Sequence, residues 1–325
     1  MPDMSEQKAH SFVRLWVFSH LFHYELYWVL GARGGLKYEL FVFALIGLLT
    51  WLFIQPHRTL VLGLVASFQL VDWFRFLPLN TNHWNLVALI NIGLLGAMAV
   101  SSLRLRSLPT TAQVIYFARP SLLRALGCFY FFTGFWKLNR SYLEPETSCV
   151  AWAWDNLQTQ IPVPDLGMLV VPLAVFVMGL ELVLGLWLIC RPQRLPRTLL
   201  WAAVALHVGL GLEVVRQYLN FSMVMFPLLY LASSGVGRSD TWLASPRRWG
   251  LLLGLVLLVF AGVMAWPRQD YYWLRWVLFI ASLALILPLF RPGQFSPSVA
   301  WGPKPLLIVP ILALVIGLSP WLGLR

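Results

Sequence analysis

The segment at residues 129–139 places a lysine beside a run of aromatic residues. It reads Phe-Tyr-Phe-Phe-Thr-Gly-Phe-Trp-Lys-Leu-Asn, with Thr133 and Gly134 about one helical turn before Lys137. A lysine in an aromatic, poorly hydrated setting loses its proton more readily and can act as a base near neutrality. The small residues thin the helix, so a neighbouring helix or a flat ligand can approach. The alternative is a lysine at a helix end whose ammonium reaches interfacial water.

A second polar segment, Asn-Thr-Asn-His-Trp-Asn at residues 80–85, precedes an apolar run. Asn82 can cap the helix that begins here. His83 would then lie in the first turn, where the positive end of the helix favours a neutral imidazole that can accept a proton. A capping cluster with a packed histidine is the alternative interpretation.

Two ionisable residues, Glu181 and His207, stand within long apolar segments. Neither group stays charged and unpaired in a hydrocarbon environment, so we expect a mutual or shared hydrogen bond between them. Such a bond could serve catalysis, or it could simply bridge two helices.

Metal binding is not expected from the remaining candidates. His20 and His23 share a helix face and could ligate a metal or haem, but no further ligand stands at a metal-binding spacing. The cysteines, Cys128, Cys149 and Cys190, lie far apart and form no ligand motif. We therefore interpret the two histidines as packed residues and predict no metal site.

The composition indicates what kind of molecule holds these residues. Of 325 residues, 59% are hydrophobic and 11% are charged, and the chain has 17 Trp, 21 Phe and 10 Tyr. This excludes a soluble globular enzyme, a disordered chain and a disulfide-stapled secreted module. Aromatic residues in this number fit a protein with many helix ends at membrane interfaces. The net charge of +11 does not indicate nucleic acid, because no basic run exceeds two residues.

The predicted fold class is all-α, a polytopic transmembrane helix bundle of about 9–11 spans, because each crossing needs about 20 apolar residues. We treat residues 1–325 as one domain. The first, third and eighth candidate spans are polar or short. The eleven candidate spans are 12–31, 38–55, 59–77, 83–102, 117–138, 167–190, 197–214, 218–233, 249–266, 272–290 and 304–322.

The distribution of basic residues predicts the orientation. If each span reverses the chain, 15 of the 24 basic residues fall on the side of the N-terminus. The longest loop on the other side, 139–166, is acidic. The excess of positive charge marks the cytoplasmic side. We therefore expect an integral membrane protein, in a bacterial cytoplasmic membrane, with its N-terminus in the cytoplasm.

The candidate segments together resemble the vitamin K-dependent gamma-carboxylase family, whose bacterial members and relatives form the HTTM (horizontally transferred transmembrane) group. The matching segments lie within about 80–235 and follow one another in the same order as in the family. It rests on the Asn-His pair at 82–83, on Tyr-Phe-x-x-Gly-x-x-Lys-Leu at 130–138, on the acidic residue and apolar stretch at 181–186, and on a His…Phe-Ser-x-x-Met block starting at His207.

The resemblance implies an enzyme that deprotonates a reduced quinone, either reduced vitamin K or menaquinone, at a site facing away from the cytoplasm. In that family, oxygen then converts the anion into a strong base, and carbon dioxide adds to a glutamate. Lys137 matches the base and His83 the histidine that assists it. The residues implied in cofactor binding are His207, Gly134, Glu181 and Asn82.

The partners implied are the lipid bilayer, a quinone, and a peptide or small acidic substrate. A second hypothesis is a non-catalytic HTTM protein that uses the same site to bind a lipid, a quinone or a peptide partner. A transporter is the third, and the chain lacks the paired broken spans of an inverted repeat. Lys137→Arg should abolish an enzyme's activity, whereas a binding protein should tolerate it.

Overall fold

The computed structural model describes most of the first 233 residues and short stretches beyond them. The described ranges are 6–29, 35–75, 82–159, 162–192, 195–212, 216–233, 250, 254, 279–284 and 287–290. The predicted span 304–322 lies outside these ranges, all but two residues of 249–266 lie outside them, and about half of 272–290 is described.

Every regular element in the described ranges is a helix. Two short 3₁₀ turns, Gly167–Leu169 and Leu287–Phe290, accompany the α-helices. The α-helices with described bounds are α1 (Glu6–Val29), α2 (Gly35–Ile54), α3 (Thr59–Arg75), α4 (Asn82–Leu105), α5 (Thr111–Trp136), α6 (Arg140–Leu143), α7 (Cys149–Gln158), α8 (Val170–Cys190), α9 (Arg197–Leu212) and α10 (Arg216–Ala232).

Among the described residues, two helices are long and apolar enough to cross a membrane, judged by length and composition. They are Trp84–Leu105 within α4 and Gly167–Cys190, which joins the 3₁₀ turn to α8. Shorter apolar helices cover Leu40–Ile54, Arg197–Leu212 and Phe221–Ala232. The all-helical class is confirmed for the described part of the chain.

Most helix bounds lie within a few residues of the predicted spans, and the starts of α1 and α5 differ most. Each of these two helices begins six residues before its predicted start, α5 at Thr111. A capping box causes this early start, because Thr110 Oγ1 accepts a hydrogen bond from Gln113 N and the Gln113 side chain accepts one from Thr110 N. The predicted start follows the apolar run, whereas the capping box uses polar side chains that precede it.

α5 is the central helix of the described bundle. It packs most extensively against α8, and it also contacts α4, α1, α10 and α3. Its buried face includes Leu122, Leu126 and Tyr130. The candidate segment at 129–139 therefore lies at the C-terminal end of the most surrounded helix.

Basic side chains hold one end of the bundle together. Lys8 Nζ donates to Ser233 O at 2.6 Å, and Arg119 Nε donates to Leu231 O at 3.1 Å, so both cations meet the C-terminal end of α10. A helix C-terminus carries partial negative charge, which these cations offset. At the same end, the hydroxyls of Thr59 and Thr111 form a 3.2 Å hydrogen bond between the first turns of α3 and α5.

These contacts bring together the starts of α1, α3 and α5 and the end of α10. Arg14 adds the end of α2, because its Nε donates to Phe53 O at 3.3 Å. This is the grouping expected if each predicted span reverses the direction of the chain.

Candidate functional site

Lys137 is the C-cap residue of α5, and its backbone N–H donates to the carbonyl groups of Gly134 and Phe135. Its Nζ donates to Glu181 Oε2 at 2.5 Å. The Glu181 side chain is 6% exposed and that of Lys137 is 25% exposed. The two residues therefore form a largely buried ion pair between α5 and α8.

The position of Glu181 along α8 shows how deep this ion pair lies. Glu181 is the twelfth residue of a helix that begins at Val170. At 1.5 Å per residue, it lies about 16 Å from that end of the helix. The Lys137 ammonium thus meets α8 near the middle of that helix, while 25% of the lysine side chain is exposed.

Glycines allow α5 and α8 to approach closely enough for this pair. A Cβ added at Gly134 would lie 2.9 Å from the Leu182 side chain and 3.0 Å from the Leu182 backbone nitrogen. A Cβ at Gly185 would overlap the backbone of Phe131. Of the two approaches expected at Gly134, the neighbouring helix is therefore the one observed. Any role of Gly134 in holding a ligand is indirect, through the spacing of the helices.

A second buried pair joins α5 to α9. Tyr130 Oη and His207 Nε2 are 2.7 Å apart, with the two side chains 1% and 0% exposed. Tyr130 stands seven residues before Lys137, which places the two side chains on the same face of α5. His207 Nδ1 is buried and has no hydrogen-bond partner among the described residues.

The prediction of a hydrogen bond between Glu181 and His207 is wrong. Each residue reaches α5 separately, Glu181 through Lys137 and His207 through Tyr130. The sequence could not reveal this arrangement, because pairing depends on which side chain of α5 faces each neighbouring helix. The sequence does not single out Tyr130, because a tyrosine among three phenylalanines resembles an aromatic packing residue.

Aromatic rings surround both pairs. The Lys137 Nζ lies 5.6 Å from the ring centroid of Tyr142, which is buried in α6. The ring of Phe221 in α10 lies 5.1 Å from that of His207. Phe131 and Phe135 stack on one another with centroids 6.1 Å apart, and Phe135 is exposed. The polar groups therefore stand among apolar walls, as in sites for flat lipophilic ligands.

Asn82 and His83 are the first two residues of α4, and their side chains lie outside the described part of the structure. Leu89 packs in one cluster with Ala125 and Cys128 of α5. His83 lies six residues nearer the start of α4, about 9 Å along its axis. Since consecutive helices α4 and α5 run in opposite directions, this displacement is toward the Lys137 end of α5.

Of the two candidate metal-binding histidines in α1, the structure describes the side chain of His20. His20 is buried with its ring edge-on to Trp16, the centroids being 4.1 Å apart, and the side chain of His23 lies outside the description. Among the described residues, no group of three or more His, Cys, Asp or Glu side chains could hold a metal ion.

A buried polar cluster between α3 and α4 was missed from the sequence. Gln69, Asp72 and Asn91 are each 0% exposed, and Asn91 Nδ2 donates to Gln69 Oε1 at 2.8 Å. Close to them in the sequence, Trp73 Nε1 donates to Asn85 Oδ1 at 2.9 Å. The sequence does contain a signal for this cluster, because Gln69 and Asp72 stand three residues apart within the third candidate span. Their polarity was interpreted only as making that span a weak candidate for crossing the membrane.

Comparisons with protein-family models, with curated proteins and with solved structures find no match to this chain. The resemblance to the vitamin K-dependent gamma-carboxylase family therefore stays a prediction.

Proposed function

We propose that this protein is a polytopic integral membrane protein with its N-terminus in the cytoplasm. The apolar side chains exposed on α8, such as Val175, Phe176, Val183 and Leu186, support this proposal because lipid can cover them. The grouping of Lys8, Arg14, Arg58 and Arg119 at one end of the bundle fits the positive charge of a cytoplasmic face.

Within the membrane, we infer that the Lys137–Glu181 pair deprotonates a reduced quinone. One observation carries this inference. Three of the four segments behind the family resemblance, which begin at residues 130, 181 and 207, meet around α5 through the pairs Lys137–Glu181 and Tyr130–His207.

The chemistry follows from the proton that the pair holds. Lys137 and Glu181 share one proton across their short contact. When that proton lies on Glu181, Lys137 is a neutral amine that can take the proton of a quinol hydroxyl, which leaves a quinolate beside a lysine ammonium and a neutral carboxyl group. The ammonium, no longer compensated by Glu181, then stabilises the quinolate anion. The resemblance extends this step to oxygen-dependent epoxidation coupled to carboxylation or related chemistry.

Lys137→Arg tests this function. Arginine keeps the positive charge but cannot give up its proton, so the expected result is a loss of quinol epoxidation of about 100-fold or more. The assay supplies reduced menaquinone or vitamin K under oxygen to protein in mild detergent and quantifies the epoxide by mass spectrometry. Lys8→Arg, the same exchange at the other end of the bundle, should leave epoxidation unchanged.

A non-catalytic protein that binds a quinone, a lipid or a peptide is the second candidate, favoured by the stacked rings of Phe131 and Phe135 in the last turns of α5. It predicts that purified protein retains quinone, forms no epoxide and keeps its ligand after Lys137→Arg. Phe135→Ala, which removes part of the wall, should release the ligand instead. Epoxide formation that survives Lys137→Arg contradicts the proposed role of the lysine.

A further inference from the structure

The charges at the Lys137 site compensate each other. Lys137 carries one positive charge and Glu181 one negative charge, and their side chains touch in a largely buried position. Arg140, the next basic residue along the chain, does not add to the site, because its side chain is 91% exposed and it pairs with Glu144 at 2.6 Å. The ion pair therefore has no net charge.

This compensation determines which ligands the site can accept. A carboxylate or phosphate would lose its hydration on entry and would meet an ammonium that is already neutralised. It would also lie close to the like charge of Glu181, which raises its free energy further. An uncharged hydroxyl group loses less hydration and can donate a hydrogen bond to the Glu181 carboxylate.

The segment that follows α5 also disfavours anionic ligands, and it acts over a longer distance. Residues 139–166 contain four acidic residues, Glu144, Glu146, Asp155 and Asp165, against the single basic residue Arg140. Helices α6 and α7 of this segment contact α8, which holds Glu181. An excess of negative charge near the site lowers the local concentration of anions. Anions are therefore disfavoured both on approach and at the ion pair.

We propose that Glu181 makes the Lys137 site selective for an uncharged hydroxylic aromatic ring, the chemical class of a reduced quinone, and excludes carboxylate and phosphate ligands. The proposal rests on the proposed function and deepens it. It assigns specificity to Glu181, and it replaces the small acidic substrate expected from the family resemblance with a neutral one at this position.

The test compares two probes that share one ring system, naphthol with a hydroxyl group and naphthoate with a carboxylate. Binding is measured at neutral pH by equilibrium dialysis against protein in nanodiscs of phosphatidylcholine, a lipid with no net charge. Wild type should bind naphthol about 10-fold more tightly than naphthoate, equivalent to about 1.4 kcal/mol. Glu181→Gln should strengthen naphthoate binding about 10-fold, because it frees the ammonium. It should weaken naphthol binding, because a neutral amide oxygen accepts a weaker hydrogen bond than a carboxylate.

Three further variants act as controls. Glu6→Gln makes the same exchange at an exposed position in the first turn of α1, and both affinities should stay at the wild-type values. Lys137→Gln leaves Glu181 uncompensated, so naphthoate should bind more weakly than to wild type. The double variant Lys137→Gln/Glu181→Gln removes both charges, and the gain in naphthoate affinity should disappear.

The proposal is overturned if wild type binds the two probes with equal affinity or binds neither of them. It is also overturned if folded Glu181→Gln binds naphthoate no more tightly than wild type does. If Glu181→Gln does not fold, the Lys137→Gln and double variants are compared with wild type instead. Naphthoate binding to Lys137→Gln that is not weaker than to wild type then overturns the proposal. Failure of the proposed function is separable, because it would remove the epoxide while the naphthol preference remained. Lys137-dependent epoxide with an unaltered preference in Glu181→Gln would count against Glu181 alone.

Discussion

Tyr130 and His207 illustrate how strongly one hydrogen bond matters at the residue scale. Both side chains are almost completely buried, and the contact between Tyr130 Oη and His207 Nε2 is the hydrogen bond found for that ring nitrogen. A buried polar atom that loses its partner keeps its desolvation cost and gains nothing in return. The pair therefore stabilises the junction of α5 and α9 as well as carrying polar groups into the site.

Tyr130→Phe should lower the free energy of unfolding by about 1–2 kcal/mol, because it leaves His207 Nε2 unpaired while keeping the ring. The measurement is thermal or denaturant unfolding in detergent, followed by tryptophan fluorescence. Tyr116→Phe deletes a hydroxyl from a half-buried tyrosine of the same helix and should have a smaller effect. Equal effects of the two changes would show that the Tyr130–His207 bond contributes no special stability.

At the scale of the helices, Gly185 allows α5 and α8 to pack closely against each other. A Cβ at Gly185 would overlap the Phe131 backbone, whereas a Cβ at Gly179, on the same helix, would meet nothing within 4 Å. Close approach of α5 and α8 requires the first glycine and not the second. The separation of Lys137 and Glu181 depends on this approach, because the two residues stand on these two helices.

Gly185→Ala should therefore destabilise the protein by about 1–3 kcal/mol through overpacking. It should also weaken Lys137-dependent activity, because the ion pair lengthens as the helices separate. Gly179→Ala should be neutral or stabilise by up to about 1 kcal/mol, since alanine restricts the unfolded chain and favours helix. Unfolding in detergent and the epoxide assay measure the two effects, and identical behaviour of the two alanine variants would exclude this packing explanation.

At the scale of the whole molecule, native cysteines can report the orientation in the membrane. Cys149 is exposed at the start of α7, Cys190 is exposed at the end of α8, and Cys128 is buried. The helix Gly167–Cys190 is long and apolar enough to cross a membrane. If it crosses, Cys149 in the preceding segment and Cys190 at its far end face opposite aqueous compartments.

We expect a membrane-impermeant maleimide to label Cys149 on intact cells and to label Cys190 only after permeabilisation. Mass spectrometry of the labelled peptides identifies the sites, and Cys149→Ser should abolish labelling on intact cells. The opposite pattern would place the N-terminus outside. Labelling of both cysteines on intact cells would show that α8 does not separate two compartments.

Sequence determined the class of the fold and most of the helix positions. Long apolar segments interrupted by Pro, Gly and charges predict helices, because the apolar period and the breaking residues act locally. Thus α3, α8 and α9 begin or end close to the expected residues. The capping box at Thr110 was also visible in the sequence, although the apolar pattern obscured it.

Sequence also singled out Lys137, Glu181 and His207, because ionisable residues within apolar segments stand out wherever they occur. Only the tertiary structure decided their partners. Glu181 pairs with Lys137, and His207 pairs with Tyr130, across 44 and 77 residues of chain. Such pairing depends on the rotation and spacing of packed helices, to which Gly134 and Gly185 contribute through contacts distant in sequence. A residue's type is a local property, whereas its partner is a property of the packed bundle.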